Sequence, residues 1–139
     1  MSMSNSVNDP LKDLAALSRR YTQILDQTFS RYGLSSSLYY YLIKLHDFGD
    51  LPQERLVQLT GVNPSNVTRA VAQLVQLGFV LKRPNPDDRR GFVLALTDSG
   101  TAICPALLDG LAFAQKQFLA PLTAKERAQF ESILQKLAE

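Results

Sequence analysis

A mainly α-helical fold of the α+β class, with about six helices and one β-hairpin, is what this 139-residue chain predicts. Three observations carry that expectation. Apolar residues recur at the helical period over most of the length. Two of the helical stretches are separated only by the short turn Thr60-Gly61-Val62, and Asn63-Pro64 opens the second of them. Two brief apolar runs, Phe79–Leu81 and Phe92–Leu96, then flank the Pro/Gly-punctuated stretch Asn85-Pro-Asp-Asp-Arg-Arg-Gly91, which is the pattern of a β-hairpin.

Taken in order, Asp9 and Pro10 open the first helix as N-cap and first helical residue. Leu11, Leu14, Leu17, Tyr21, Ile24, Leu25, Thr28 and Phe29 follow at helical spacing, and Gly33 stops the helix. Ser35 to Ser37 supply a cap for a second helix carrying Leu38, Tyr39, Tyr41, Leu42 and Leu45. Residues 47–52 read as a loop. A short helix of about Gln53 to Leu59 turns Leu56 and Leu59 inward. The helix opened by Asn63-Pro64 has one apolar face, Val67, Ala70, Val71, Leu74 and Leu77, and Gly78 suits its C′ position. Two helices joined by a Gly-containing turn match a helix-turn-helix, and the hairpin that follows makes the unit a winged helix. Thr97 or Asp98 caps a fifth helix to about Leu119, in which Pro105 either kinks the helix or marks its true first turn. Pro121 ends it, Thr123-Ala-Lys-Glu126 is a capping box, and Phe130, Ile133, Leu134 and Leu137 form the stripe of the last helix.

The terminal helices are long and amphipathic, and a small winged helix cannot cover all of their apolar stripes. Such faces are normally buried against a partner subunit, so a homodimer is expected. The chain thus divides into an N-terminal dimerisation helix (1–34), a winged helix-turn-helix lobe (35–100) and C-terminal dimerisation helices (101–139), interleaved as one domain.

Composition narrows the function. At 45% hydrophobic residues the chain can bury a real core, and its longest apolar runs are too short for a bilayer, so no membrane partner is expected. Met1 to Asn8 is polar and lacks the apolar stretch of a secretory signal, which suggests a frayed tail. One cysteine allows neither an intrachain disulfide nor a zinc-binding cysteine cluster, which fits a reducing, cytoplasmic compartment. No paired-carboxylate, nucleophile–base, Gly-rich phosphate or metal constellation falls on one site, so neither an enzyme nor a cofactor is expected. The net charge of +2 is unevenly spread: residues 53–93 hold six basic and three acidic residues, against nine and ten elsewhere. That local excess suits a nucleic-acid surface.

The polar face of the Pro64–Leu77 helix carries Ser65, Asn66, Thr68, Arg69, Gln73 and Gln76, the first four at the N-terminal end that a recognition helix presents to base edges. Arg69 suits guanine or a phosphate, Asn66 suits adenine, and Ser65 and Thr68 suit either kind of contact. On the hairpin, Arg89 and Arg90 place positive charge for a narrow minor groove. Asp87 or Asp88 would repel phosphate unless otherwise engaged, and the expected engagement is a bidentate hydrogen bond to a neighbouring guanidinium.

These residues carry a family resemblance. Asp88-Arg-Arg90 followed by Leu94-Ala-Leu-Thr97 is similar to the pattern Asp-x-Arg-x-x-x-(Val/Ile)-x-Leu-Thr of the MarR family, the multiple antibiotic resistance regulators, with Leu94 replacing the β-branched residue. Val67-Thr-Arg69 with Leu74 to Val80 resembles that family's recognition helix and first wing strand, and Thr97-Asp-Ser-Gly100 its strand-to-helix junction. The resemblance is most specific over residues 63–100 and implies a homodimeric repressor on pseudo-palindromic double-stranded DNA operators. Each subunit would place the Pro64–Leu77 helix in a major groove and Arg90 in the flanking minor groove. The resemblance also implies release by small anionic or phenolic ligands held between lobe and dimerisation helices, or by cysteine oxidation.

For a ligand, the consecutive Tyr39, Tyr40 and Tyr41 point in three directions, so at least one can line a pocket, with Arg19, Arg20 and His46 near in the chain for an aromatic carboxylate. The bland alternative is tyrosines packed in the core with hydroxyls at the surface. Cys104 is the one thiol available to a redox-responsive repressor, since a nearby helix N-terminus would lower its pKa; the ordinary reading of such a cysteine is inert packing in the core. The other alternative is a winged-helix protein-interaction module, which would lack the steep salt dependence of DNA binding.

Overall fold

The structure, a computed structural model, describes residues 8–139. Its elements run α1 (Leu14–Phe29), a 3-10 turn (Ser30–Tyr32), α2 (Tyr39–Phe48), β1 (Leu51–Pro52), α3 (Gln53–Thr60), α4 (Pro64–Gln76), β2 (Val80–Asn85), β3 (Asp88–Leu96), α5 (Asp98–Phe118) and α6 (Ala124–Ala138). Six helices and a small sheet bear out the mainly α, winged helix-turn-helix expectation. Residues 1–7 of the polar N-terminal stretch lie outside the described residues.

Local chemistry explains the well-placed boundaries. Asn63 Oδ1 accepts the Ser65 N–H at 2.8 Å, and Pro64 sits at the first helical position of α4. At the other end Gly78 takes φ +84°, and the N–H groups of Gly78 and Phe79 return to the Val75 and Leu74 carbonyls at 3.0 Å each, a Schellman closure. Thr123 and Glu126 make both bonds of the expected capping box.

Three boundaries differ from the sequence reading. Asp9 does cap a turn, its Oδ1 accepting the Leu11 N–H at 3.1 Å, but the chain then makes bonds from Lys12 to Asp9 and from Leu14 to Leu11. Those three-residue closures delay α1 to Leu14. Ser35 to Ser37 cap nothing directly: they shape a turn in which Ser36 N–H donates to Asp26 Oδ1 on α1 at 2.6 Å, and α2 starts at Tyr39 without a side-chain cap. The loop expected at 47–52 contains β1, which pairs Leu51 with Leu94 and Pro52 with Val93 and makes the sheet three-stranded in the order β1-β3-β2. Two residues are too short for an alternation to register, and a proline is admissible because β1 is an edge strand.

One buried cluster runs through α1, α2, α3, α4, the sheet and α5. Phe29, Leu42, Leu56, Leu74, Leu94 and Leu107 are among its fully buried side chains. Leu77, expected on the inner face of α4, is 42% exposed, because the helix ends there and the chain turns away. Pro105 lies inside a continuous α5. Both Pro105 and Thr101, whose carbonyl loses its helical donor, are exposed, so water can take the place of the missing bond.

The wing meets α5 at a close backbone contact. Thr97 N–H donates to the Phe79 carbonyl at 3.0 Å, the Thr97 hydroxyl donates to the Gly78 carbonyl at 2.5 Å, and Thr97 Oγ1 accepts the Gly100 N–H at 3.0 Å. Gly100 is buried there, and a Cβ on it would stand 2.1 Å from the Phe79 carbonyl oxygen. Glycine is the residue this junction admits.

Candidate nucleic-acid interface

Burial of Val67, Ala70, Val71 and Leu74 fixes the rotation of α4, so the opposite face must point outward. Ser65, Asn66, Thr68, Arg69 and Gln73 are all exposed on it. Two of them hold each other: an Arg69 guanidinium N–H donates to Asn66 Oδ1, one turn back. Both are oriented before any ligand arrives. Thr68 Oγ1 donates to the Pro64 carbonyl at 3.0 Å and accepts from Gln53 Nε2 at 3.1 Å.

The β2–β3 hairpin stands beside this helix. Its tip is Pro86-Asp87, so Arg89 and Arg90 lie on the rising limb of β3 rather than at the tip itself. Asp88, Arg89 and Arg90 are exposed, and neither arginine forms an ion pair among the described residues. Asp88 differs from expectation. Its Oδ1 accepts the backbone N–H of Arg90 at 3.0 Å, and no guanidinium is paired with it. The reason is local: a carboxylate two residues before an N–H closes a tight turn more readily than it reaches a long side chain. Asp88 still shapes the wing, and the arginine heads stay free. Asn85 Oδ1 accepts the Asp87 N–H at 3.0 Å on the other limb, next to a register shift between Pro84 and Asn85. Arg83 pairs with Asp50 at 2.9 Å and Lys82 sits 4.2 Å over the Phe92 ring, so the base of the wing is braced. A cleft of about 620 Å³ separates α3, α4 and wing, with Gln53, Thr68, Lys82 and Arg90 on its walls.

The tyrosine run lines a second cleft, of about 500 Å³, but with different company from that expected. Ser36, Ser37, Asn66, Arg69 and Gln73 face Tyr39, Tyr40 and Tyr41 there. Tyr39 is mostly buried and stacks on Phe29 with ring centroids 4.7 Å apart. Burial, with smaller contributions from Tyr21 and Tyr40, pushes its pKa up to about 12. Burial also raises that of Tyr41. Tyr40 is the exposed member, with Lys44 Nζ 4.9 Å from its ring. Arg19 and His46 are not brought to this cleft. Arg19 is exposed on α1, and His46, about 10 Å along the axis of α2 from Tyr39 by helical rise, faces Asp47 with Nδ1 and Oδ1 3.6 Å apart. Arg20 lies over Phe118 instead, 5.5 Å from its ring centre. The part that α4 plays in this wall has no local sequence signal, because it depends on how two separate helices are placed.

Cys104 fits the inert-packing reading and not the alternative of a lowered thiol pKa. It is fully buried in the second turn of α5, its Sγ donates to the Gly100 carbonyl at 3.2 Å, and burial, then Asp47, pushes its pKa up. The side chain is a packed donor to its own helix, the opposite of an activated thiolate. Among the described residues no three metal-ligating side chains converge, and no helix is long and apolar enough to cross a membrane.

Comparison with known proteins agrees with this geometry. The model of the MarR family matches residues 34–92, which span α2 to the first half of β3. The HTH-type transcriptional repressor NicR of Pseudomonas putida is 28% identical over 121 residues, covering 87% of this chain and 77% of its own. The crystal structure of a probable transcriptional regulator from Pseudomonas aeruginosa superposes with a TM-score of 0.83 at 26% identity, over 89% of this chain and 92% of that one. A cysteine-to-serine mutant of MarR from E. coli, crystallised in complex with operator DNA, shares the fold with a TM-score of 0.84 at 23% identity, over 95% of this chain and 100% of its own. The motif of the wing, the arrangement of α3, α4 and hairpin, and these matches point the same way: the chain is similar to the MarR family over residues 34–92 and has the winged helix-turn-helix fold of these transcriptional regulators.

Proposed function

We propose that this regulator acts as a homodimeric repressor that reads a pseudo-palindromic operator with α4 in the major groove and Arg90 in the adjacent minor groove. The observation that carries the reading is the pairing of an outward polar face on α4 with unpaired, exposed arginines on the wing beside it. Ser65, Asn66, Thr68, Arg69 and Gln73 present donors and acceptors of the kind base edges require. Arg89 and Arg90 add charge for the phosphates and for the negative potential of a narrow A·T-rich groove. The MarR relative solved with operator DNA has the same fold. Arg90→Ala is expected to weaken binding to A·T-flanked operators by roughly tenfold while leaving the melting curve unchanged. Fluorescence anisotropy on duplexes with A·T and G·C flanks measures this, and equal affinity for wild type and variant on both would remove Arg90 from the minor groove.

The dimer follows from apolar surface that one chain leaves open. Leu11, Leu14, Ile133 and Leu137 are 69%, 59%, 57% and 77% exposed, and they lie on or beside the terminal helices. Leu14, Leu17, Tyr21, Phe118, Phe130 and Leu134 surround an apolar hollow of about 440 Å³ between α1, α5 and α6. A second subunit would fill it. Leu134→Asp places a charge in that hollow, and sedimentation velocity should then show monomer at micromolar concentrations where the wild type is dimeric. A variant that remains dimeric would place the interface elsewhere.

For the signal, the cleft of Tyr39, Tyr40 and Tyr41 is the site we favour. An aromatic carboxylate there could stack on Tyr40 and take Arg69 as its counter-ion, withdrawing that side chain from DNA. Arg19 and His46 drop out of this assignment.

A further inference from the structure

We propose that Gln53, a residue of α3 rather than of the recognition helix, sets which base group Thr68 reads, by holding its hydroxyl on the Pro64 carbonyl so that it has only an acceptor to offer. The proposal rests on the DNA-reading assignment above.

Gln53 opens α3 beside the second turn of α4, and its Nε2 donates to Thr68 Oγ1 at 3.1 Å. The same hydroxyl donates to the Pro64 carbonyl at 3.0 Å, one turn back along α4. A hydroxyl has one proton and two lone pairs. With the proton committed to Pro64, Thr68 can only accept from Gln53, which fixes the amide with its nitrogen toward α4. One lone pair is left, on an exposed side chain. In the major groove that lone pair can accept from the amino group of adenine or cytosine. It finds only acceptors on guanine and, beside a methyl group, on thymine.

A second observation is independent of this relay. Gln53 Oε1 is buried and has no hydrogen-bond partner. An orphaned buried acceptor is destabilising, so the placement of this side chain is not explained by satisfaction of its own amide. The bond to Thr68 is its one side-chain hydrogen bond among the described residues. Gln53 holds Thr68 in the rotamer that seats its hydroxyl on the Pro64 carbonyl; without that bond the side chain is free to take its other helical rotamer, where the proton can turn to a base acceptor, so its selectivity would relax. Gln53 is therefore a positioning residue, acting on DNA through Thr68.

The test is a base-by-base affinity profile of the full-length protein. Each half-site position of the operator is replaced by all four bases, and binding is read by anisotropy for the wild type, Gln53→Leu, Gln53→Glu, Thr68→Val and the Gln53→Leu/Thr68→Val double variant. Wild type should show one position at which adenine or cytosine is preferred over guanine and thymine by about fivefold, the worth of one hydrogen bond. Gln53→Leu should flatten that preference and leave the other positions as they were. Gln53→Glu, nearly isosteric but acceptor-only, would take the hydroxyl proton itself and still leave Thr68 only lone pairs to offer, so it should keep the preference, whatever its effect on overall affinity. Thr68→Val should abolish it, and adding Gln53→Leu should then change nothing. An unchanged profile in Gln53→Leu, or an equal Gln53→Leu effect in the Thr68→Val background, overturns the proposal. A wild type with no base preference at any position defeats the DNA-reading assignment, and the proposal with it.

Discussion

Gly100→Ala is expected to lower the stability of the protein by about 3 kcal/mol, enough to drop its melting temperature by roughly 10 °C. The added Cβ would stand 2.1 Å from the Phe79 carbonyl oxygen, far inside van der Waals contact. The obstacle is backbone, so no side-chain rotation relieves it. The Phe79 carbonyl also accepts the Thr97 N–H at 3.0 Å, so the strain passes into the joint between wing and α5. Either that bond breaks or the first turn of α5 shifts away from β2. Ser99→Ala, one residue earlier and exposed, serves as the control and should melt with the wild type. A thermal melt followed by circular dichroism decides the matter. If Gly100→Ala melted within about 2 °C of the control, the close approach would have no energetic weight.

The second large effect concerns reading rather than folding. Arg69→Ala should reduce affinity for the native operator by roughly 10- to 100-fold, the value of a good base contact, with a much smaller loss on a scrambled duplex. Arg69 is exposed, and its partner within the protein is Asn66, also exposed, so truncation leaves no buried group unpaired. Stability should hardly change. Equal losses on native and scrambled DNA would make Arg69 a phosphate contact instead.

How much of this was legible beforehand depended on how local the physics was. Asn63-Pro64, Gly78 and Thr123–Glu126 announce their helix ends within four residues, and each is found with the bonds that its chemistry implies. The apolar face of α4 fixed which residues point outward. Features that need two distant segments left no such trace. β1 exists because Leu51 finds Leu94, and the tyrosine cleft exists because α2 and α4 both line it. Chain proximity therefore drew His46 and Arg19 toward the tyrosines, when Asn66 and Arg69 are the residues that line the cleft. Asp88 was legible as a shaping residue, but its partner was the Arg90 backbone, because the shorter closure wins. For Cys104 the inert-packing reading fits, because its depth in the core, not its distance from a helix end, governs its acidity.

The most direct test of the account is binding of the purified protein to the duplex immediately upstream of its own gene, followed by anisotropy across a salt series, with a scrambled duplex alongside. The account predicts tight binding with clear preference for the native duplex, and affinity falling by about a thousandfold or more between 50 and 200 mM salt if roughly six phosphates are neutralised. Weak binding, equal on both duplexes and insensitive to salt, would contradict it and point to another protein as the partner of the α4 and wing surface.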